Sequence, residues 1–282
     1  MTSAVGWIGL GSIGLPMAQR LLGAGHVLHT WARRRDAATP LLQAGARWHD
    51  DPATLAAACD TVFTCVGGPD DVAELQRRLM PRARAGTLFV DCSTAAPRTG
   101  QDAERLASDV GVLALDAPVT GGVAGAQRGT LTTFIGGSAA AAARAQPLLA
   151  TFCQRQVHAG GAGSGYRLKL VNQALMAGSL LAVADAAAWA RAAGLDGAQL
   201  HDALAGGSGG SFIFNAYWPR MLASDGPASF SLGLLRKDLR LARAEAASLG
   251  TPTRLLDAAL AAVEAACTRH GPEAGVQRLA AA

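Results

Sequence analysis

Two lysines stand apart in this 282-residue chain. Of its 25 Lys plus Arg, only Lys169 and Lys237 are lysine; every other basic side chain is arginine. Arginine stays protonated in proteins, whereas a buried lysine can give up its proton. The two exceptions are therefore candidates for proton chemistry. Lys169, Asn172 and Gln173 stand at i, i+3 and i+4, a spacing that puts all three on one face of a helix. Leu168, Leu170, Val171, Leu175 and Met176 around them are apolar, so that helix is expected to be buried. A buried polar triplet costs stability unless it is paired or used. Lys237 sits beside Asp238, a pair that would equally suit the surface.

A second constellation begins at residue 9. Gly9-Leu10-Gly11-Ser12-Ile13-Gly14 follows a strand-like run and opens a helix-like one, the context in which this spacing binds a dinucleotide. The first glycine makes the turn, the second admits the pyrophosphate, and the third packs helix on strand. About 20 residues further on, an acid would accept from an NAD ribose. Here the chain has Arg33-Arg34-Arg35 and no acid before Asp36. Guanidinium groups bind a 2′-phosphate in bidentate fashion. NADP is therefore favoured over NAD, with Arg33 and Arg34 as its ligands, while Arg35 also fits a solvated charge run. The glycine-rich stretch 116–132 reads as a loop between strands. Its amides at Thr120, Gly121 and Gly122 suit an anion nest for a small carboxylate, or simply a long turn.

The elements that must position these residues fall into two halves. Short apolar runs at 4–10, 27–31, 61–65, 87–91, 112–115 and 130–135 read as buried strands. Helix-like segments at 13–22, 52–59, 70–79 and 97–108 alternate with them; Asp51 is a candidate N-cap and Pro52 takes the first helical position. This alternation predicts βαβ units and a parallel-rich sheet covered on both faces. Beyond residue 161 the pattern is helical only, at 165–192, 196–205, 232–248 and 253–270, with glycines 206–210 as a mobile connection. The expected domains are 1–161, α/β, and 162–282, all-α.

Composition narrows the class. A net charge of +4 with one short arginine cluster argues against nucleic acid as a partner. Cysteines 59, 65, 92, 153 and 267 are scattered and form no CxxC, which suits a reducing compartment and no metal site. The longest apolar stretch, 175–184, is short for a bilayer span. A cytoplasmic protein without a membrane partner is expected.

Five ordered motifs carry a resemblance across the whole chain. They are GLGSIGLPMA from Gly9 to Ala18, the DxST of Asp91, Ser93 and Thr94, DAPVTGG from Asp116 to Gly122 with its GTLT tail, GxGxxxKxxN from Gly163 to Asn172, and Lys237-Asp238-Leu239. In these the chain resembles the β-hydroxyacid dehydrogenases, the family of 3-hydroxyisobutyrate dehydrogenase. The resemblance implies a Rossmann-type domain, a long interdomain helix, an α-helical second domain shared in a homodimer or homotetramer, and an active site in the cleft between domains. It implies hydride transfer between NADP(H) and a short β-hydroxy acid, with Lys169 as acid/base and Asn172 orienting the substrate. Thr120, Gly121 and Gly122 would hold the substrate carboxylate, Thr94 the nicotinamide end, Val66 and Gly67 the adenosine ribose and pyrophosphate. Lys237 would lie over the cofactor. Two positions depart from the family: Thr120 replaces a serine, and Gln173, a candidate substrate contact, replaces an asparagine. Imine reducers on this fold replace the lysine with Asp or Tyr, and a non-catalytic NADP-binding module has no use for Lys169 beside Asn172.

Overall fold

The computed structural model describes residues 4–223, 228 and 230–280. Its strands are β1 (Ala4–Ile8), β2 (Val27–Trp31), β3 (Arg47–Trp48), β4 (Thr61–Thr64), β5 (Leu88–Asp91), β6 (Leu113–Asp116), β7 (Val119–Thr120), β8 (Leu131–Gly136) and β9 (Cys153–Gly160). They form one sheet in the order β3-β2-β1-β4-β5-β6-β8-β7, with β9 paired to β8. From β3 to β6 every pairing is parallel. β8 runs antiparallel to β6 and β7 and parallel to β9. The first six strands follow the doubly wound order 3-2-1-4-5-6. The reversal between β1 and β4 opens a crevice at their carboxyl ends, where dinucleotides bind in such sheets.

Helices α1 (Gly14–Gly23), α2 (Thr39–Gln43), α3 (Pro52–Ala58), α4 (Pro69–Leu79), α5 (Pro97–Asp109), α6 (Gly122–Arg128) and α7 (Ala139–Leu149) complete this part. Strand alternation sorts their core into two clusters. Trp7, Phe63, Leu88 and Val90 pack in one, and Ile8, Val62 and Phe89 in the other. Trp7 stacks on Phe63 at 5.4 Å between ring centroids, and Phe152 meets both rings edge-on. Asp51 caps α3 by accepting from the Ala53 amide, with Pro52 in the first turn, as the sequence predicts.

Three strands escape the sequence reading. β3 and β7 are two residues long, too short to show a period. β9 (CQRQVHAG) is polar and half-exposed, as a last-paired strand can be. The stretch expected as a plain glycine-rich loop instead folds as β7 followed by α6. Helices α2 and α7 are likewise absent from the expected set, as is the helix over Phe212–Ala223 in the second half.

The chain divides into two compact units, Met1–Lys169 and Leu170–Ala282. The division lies inside α8 (Ser164–Ala192) rather than at its start. At about 1.5 Å per residue, the 29 residues of α8 span about 43 Å. The second unit adds α9 (Gly197–Leu204), α10 (Phe212–Ala223), α11 (Leu232–Ser248) and α12 (Arg254–His270). Leu180, Val183, Trp218, Met221, Leu235 and Val263 are among its core residues. Glycines 206–210 form hydrogen-bonded turns, closed by Gly207 N–H to Leu204 and Gly210 N–H to Gly207. By length and composition α8 could cross a membrane, but 44% of its apolar window is buried in the fold. Leu170, Ala177, Leu180 and Val183 belong to the core of the second unit.

The start of α8 is seated by close backbone approach. A Cβ at Gly165 would lie 2.4 Å from the Phe134 carbonyl oxygen and 2.7 Å from that of Asp116. One at Gly163 would lie 2.4 Å from the Pro97 carbonyl oxygen. These are backbone atoms that cannot turn aside.

β2 and the segment after β3 are linked by a proton-ordered chain. Thr54 Oγ1 donates to the Asp51 carbonyl, so its single proton is committed and it must accept from His49 Nδ1. His49 Nε2 then accepts from His29 Nδ1 at 2.8 Å. Buried His29 Nε2 has no partner among the described residues. Burial lowers both imidazoles below the ordinary range; His49 and Arg47 lower His29 further, and Asp50 partly offsets the effect at His49.

Two outcomes follow from this packing. Gly165→Ala should cost about 2–3 kcal/mol in urea titration, because the backbone it meets must shift. Gly161→Ala, with nothing within 4 Å of its Cβ, should stay within about 0.5 kcal/mol of the parent. For the imidazoles, the folded chain holds their protons less tightly than the unfolded chain does. Their contribution to stability should therefore be full above about pH 6.5 and fall as pH drops toward the folded values. Urea titrations at pH 7.5 and 5.5 should show the parent losing stability relative to His29→Leu as pH falls; an equal change in both proteins would remove the pair as a cause.

Candidate active site

The dinucleotide turn has the shape its glycines suggest. Gly9 adopts φ +100°, and a Cβ there would lie 2.0 Å from the Cys65 carbonyl oxygen. A Cβ at Gly14 would lie 2.1 Å from the Gly9 carbonyl oxygen, so this glycine lets α1 pack onto the turn. Gly11 is exposed, with nothing within 4 Å of the Cβ it lacks. Ile13 leads into α1 and supplies no side-chain cap. The turn is thus packed from beneath and open above, at a helix N-terminus without a protein cap. A pyrophosphate fits this cradle, met by amides and the positive end of the helix dipole. Leu10 is half-buried and Ser12 exposed beside it.

After β2, Arg33 and Arg34 are exposed, while the Arg35 guanidinium lies 5.4 Å from the centroid of the Trp48 ring. Arg35, also exposed, thus packs over an aromatic face. After β4, the Val66 amide donates to Ser93 Oγ at 2.8 Å, fixing the Val66–Gly67 turn to the end of β5. Thr94 follows, half-buried.

Two carboxylates stand side by side at the ends of β5 and β6, where Asp91 pairs in register with Asp116. Asp91 is buried and accepts from Thr64 Oγ1, from Ser93 N–H at 2.9 Å, from Ser93 Oγ–H at 3.1 Å and from Tyr166 Oη at 2.7 Å. Asp116 Oδ1 accepts from Gly163 N–H at 2.7 Å, and Oδ2 from Tyr166 N–H at 2.8 Å. It thereby caps the start of α8 from outside the helix. Tyr166 answers both carboxylates, Asp116 with its amide and Asp91 with its hydroxyl. Burial raises both carboxyl groups above the ordinary range, Asp116 to about 6, against the pull of these hydrogen bonds; Asp91 raises Asp116 a little further.

Within the 116–132 stretch, Thr120 pairs with Thr132 across β7 and β8. Gly121 and Gly122 follow at φ +127° and +68°, both exposed. A Cβ at Gly121 would press on Leu131 at 3.0 Å, whereas one at Gly122 meets open space.

One turn beyond Tyr166, α8 carries buried Lys169, then half-buried Asn172 and buried Gln173. Gln173 is fully engaged in its own unit. Its Nε2 donates to Asp238 Oδ2 at 2.6 Å, and its Oε1 accepts from Asn172 Nδ2 at 3.0 Å. Lys237 Nζ lies 3.0 Å from Asp238 Oδ1, off the line of a directed hydrogen bond, so the contact is ionic. Asn172, Gln173, Asp238 and Lys237 thus form one connected set. Tyr166, Asp116 and the partner-rich Asp91 are the participants that motif reading left without roles. One of only two tyrosines, on a helix expected to be buried, was the available signal, since a buried phenol needs a partner. No cluster of three metal-ligating side chains occurs among the described residues.

Comparison with known proteins identifies the family. Residues 4–161 match the family described as the NAD-binding domain of 6-phosphogluconate dehydrogenase. Residues 163–282 match that described as the NAD-binding part of NADP-dependent 3-hydroxyisobutyrate dehydrogenase. The 3-hydroxyisobutyrate dehydrogenase of Pseudomonas aeruginosa is 35% identical over 261 residues, covering 89% of this chain and 88% of that protein. The NAD-dependent L-serine dehydrogenase of the same organism is 34% identical, covering 88% and 87%. A solved Mycobacterium tuberculosis 3-hydroxyisobutyrate dehydrogenase with L-serine superposes with a TM-score of 0.90 at 29% identity, covering 99% and 98%. With both halves matched, and with the cradle and doubly wound sheet in place, the chain belongs to the β-hydroxyacid dehydrogenase family of NAD(P)-dependent oxidoreductases.

Proposed function

We propose that this chain interconverts a short β-hydroxy acid and its semialdehyde or oxo acid with NADP(H), and that Lys169 is its acid/base. The observation that carries the reading is Lys169 itself. It is a rare lysine in an arginine chain, buried one turn beyond a helix start held by two carboxylates. On the same helix face Asn172 is oriented through Gln173 and Asp238. Two of the relatives act, by name, on 3-hydroxyisobutyrate and L-serine, each a β-hydroxy acid.

The bound nicotinamide supplies the hydride transfer. Removing hydride from the carbinol carbon makes its hydroxyl acidic, and the neutral Lys169 amine takes the proton from that oxygen. In the reducing direction the Lys169 ammonium stabilises the growing negative charge on the carbonyl oxygen and donates the proton to it. Asn172 orients the substrate for this exchange. The exposed backbone around Thr120, Gly121 and Gly122 holds the substrate carboxylate. Arg33 and Arg34, exposed after β2, take the 2′-phosphate, while Arg35 packs over Trp48. The second family description, of NADP-dependent enzymes, supports that choice. The NAD-dependent serine dehydrogenase marks the alternative within the family.

Lys169→Ala should lower kcat by on the order of 10²–10⁴, with NADPH affinity measured by fluorescence within about twofold of the parent. Lys169→Arg keeps the charge but not a transferable proton, and should lose nearly as much; an arginine variant with normal kcat would reduce the residue to a fixed charge. For the cofactor, NADPH should exceed NADH in kcat/KM by at least about tenfold, about 1.4 kcal/mol. The double change Arg33→Ala and Arg34→Ala should erode that ratio through KM, because the 2′-phosphate binds equally in ground and transition states. Equal use of both cofactors by the parent would contradict the assignment.

A further inference from the structure

We propose that Tyr166 and Asp91 are positioning residues that tie the Val66 turn to the helix of Lys169 and so fix the direction in which Lys169 points. The inference rests on the acid/base reading of Lys169 and adds how that group is aimed. The chain of donors has one polarity. Val66 N–H donates to Ser93 Oγ, Ser93 Oγ–H donates to Asp91 Oδ2, and Tyr166 Oη–H donates to Asp91 Oδ1. Thr64 Oγ1 and the Ser93 amide supply two further donors to the same carboxylate. An ionised carboxylate offers about four acceptor sites, so four donors saturate it. The Tyr166 hydroxyl is consumed here and is not available to a substrate.

The two restraints on α8 are of different kinds. Asp116 holds backbone amides of Gly163 and Tyr166, which fixes the helix start against sliding. Tyr166 is fully buried and its hydroxyl is held at 2.7 Å by a different strand, which fixes the helix against rotation about its axis. Residues three apart lie on one helix face, so Lys169 turns with Tyr166. A rotation that carried the amine about 1 Å from its mark would cost a large factor in rate. Asp91 serves the cofactor side through Ser93 and the Lys169 side through Tyr166, so one buried carboxylate registers the two against each other.

Tyr166→Phe tests this, since it deletes one donor, keeps the ring and leaves the other donors on Asp91. With 3-hydroxyisobutyrate and NADP+ as the probe pair, kcat should fall about 5–20-fold, with NADPH affinity within about twofold. In the cofactor-free protein, hydrogen exchange of amides 166–170 should quicken about tenfold or more. Thr64→Val removes an equal donor that is not on α8, and should leave kcat within about twofold. In a Lys169→Ala background, Tyr166→Phe should cause no further loss, because Tyr166 acts through the amine. An unchanged kcat in Tyr166→Phe, an equal loss in Thr64→Val, or a full further loss without Lys169 would each overturn the positioning role. If Lys169→Ala alone retained kcat, the acid/base reading would fall, and the exchange measurement would still decide whether Tyr166 orders the helix.

Discussion

The placement of Lys169 depends on a carboxylate outside its helix that accepts from the amides at the helix start. Asp116, at the end of β6, takes the Gly163 and Tyr166 N–H groups that α8 cannot satisfy internally. At neutral pH its negative charge also meets the positive end of the helix dipole. Burial opposes this arrangement and lifts the carboxyl to about 6. The site's contribution to stability is therefore greatest in acid and declines as pH rises through that value. An ionised group is retained despite this cost, and the glycines at 136, 163 and 165 make the approach possible. A Cβ at Gly136 would lie 2.6 Å from the Asp116 carboxylate oxygens. With the helix start fixed on the sheet, Lys169 lies one turn further along.

Asp91 and Asp116 are neighbours on parallel strands, a juxtaposition that like charges disfavour. Tyr166 lies between them and donates to each. Removing the phenol hydroxyl leaves Asp91 short of one donor while the amide bond to Asp116 remains, and a buried charge that loses a partner is costly. Tyr166 therefore couples the ends of β5 and β6 to the start of α8.

Much of this architecture is legible in the sequence because local rules and global fold agree there. The fully buried runs TVFT and LFVD announce parallel strands, Asp51-Pro52 announces a helix start, and the spacing of Gly9, Gly11 and Gly14 announces the cofactor turn. The polar face of Lys169, Asn172 and Gln173 follows from helical period alone. What stayed hidden depends on long-range pairing. β9 is too polar to advertise itself, and β7 and α6 exist because Thr120 finds Thr132 and Gly121 closes onto Leu131. The position of Gln173 on the helix face is legible, but its hydrogen bonds to Asn172 and to Asp238, the latter 65 residues away, are not. Of the residues converging on Asp91, Ser93 is local, within the DxST stretch, whereas Thr64 from β4 and Tyr166 from α8 leave no local signature.

The central claim is that this chain oxidises a small hydroxyl-bearing carboxylate. Absorbance at about 340 nm, the band of the reduced nicotinamide formed by hydride transfer, reports that reaction directly when NADP+ is mixed with short β-hydroxy acids and, separately, with their methyl esters. Reduction is expected with 3-hydroxyisobutyrate, L-serine or a close analogue, and little with the matching ester. Equal rates with acid and ester, or no reduction with any β-hydroxy acid in either cofactor, would contradict that claim.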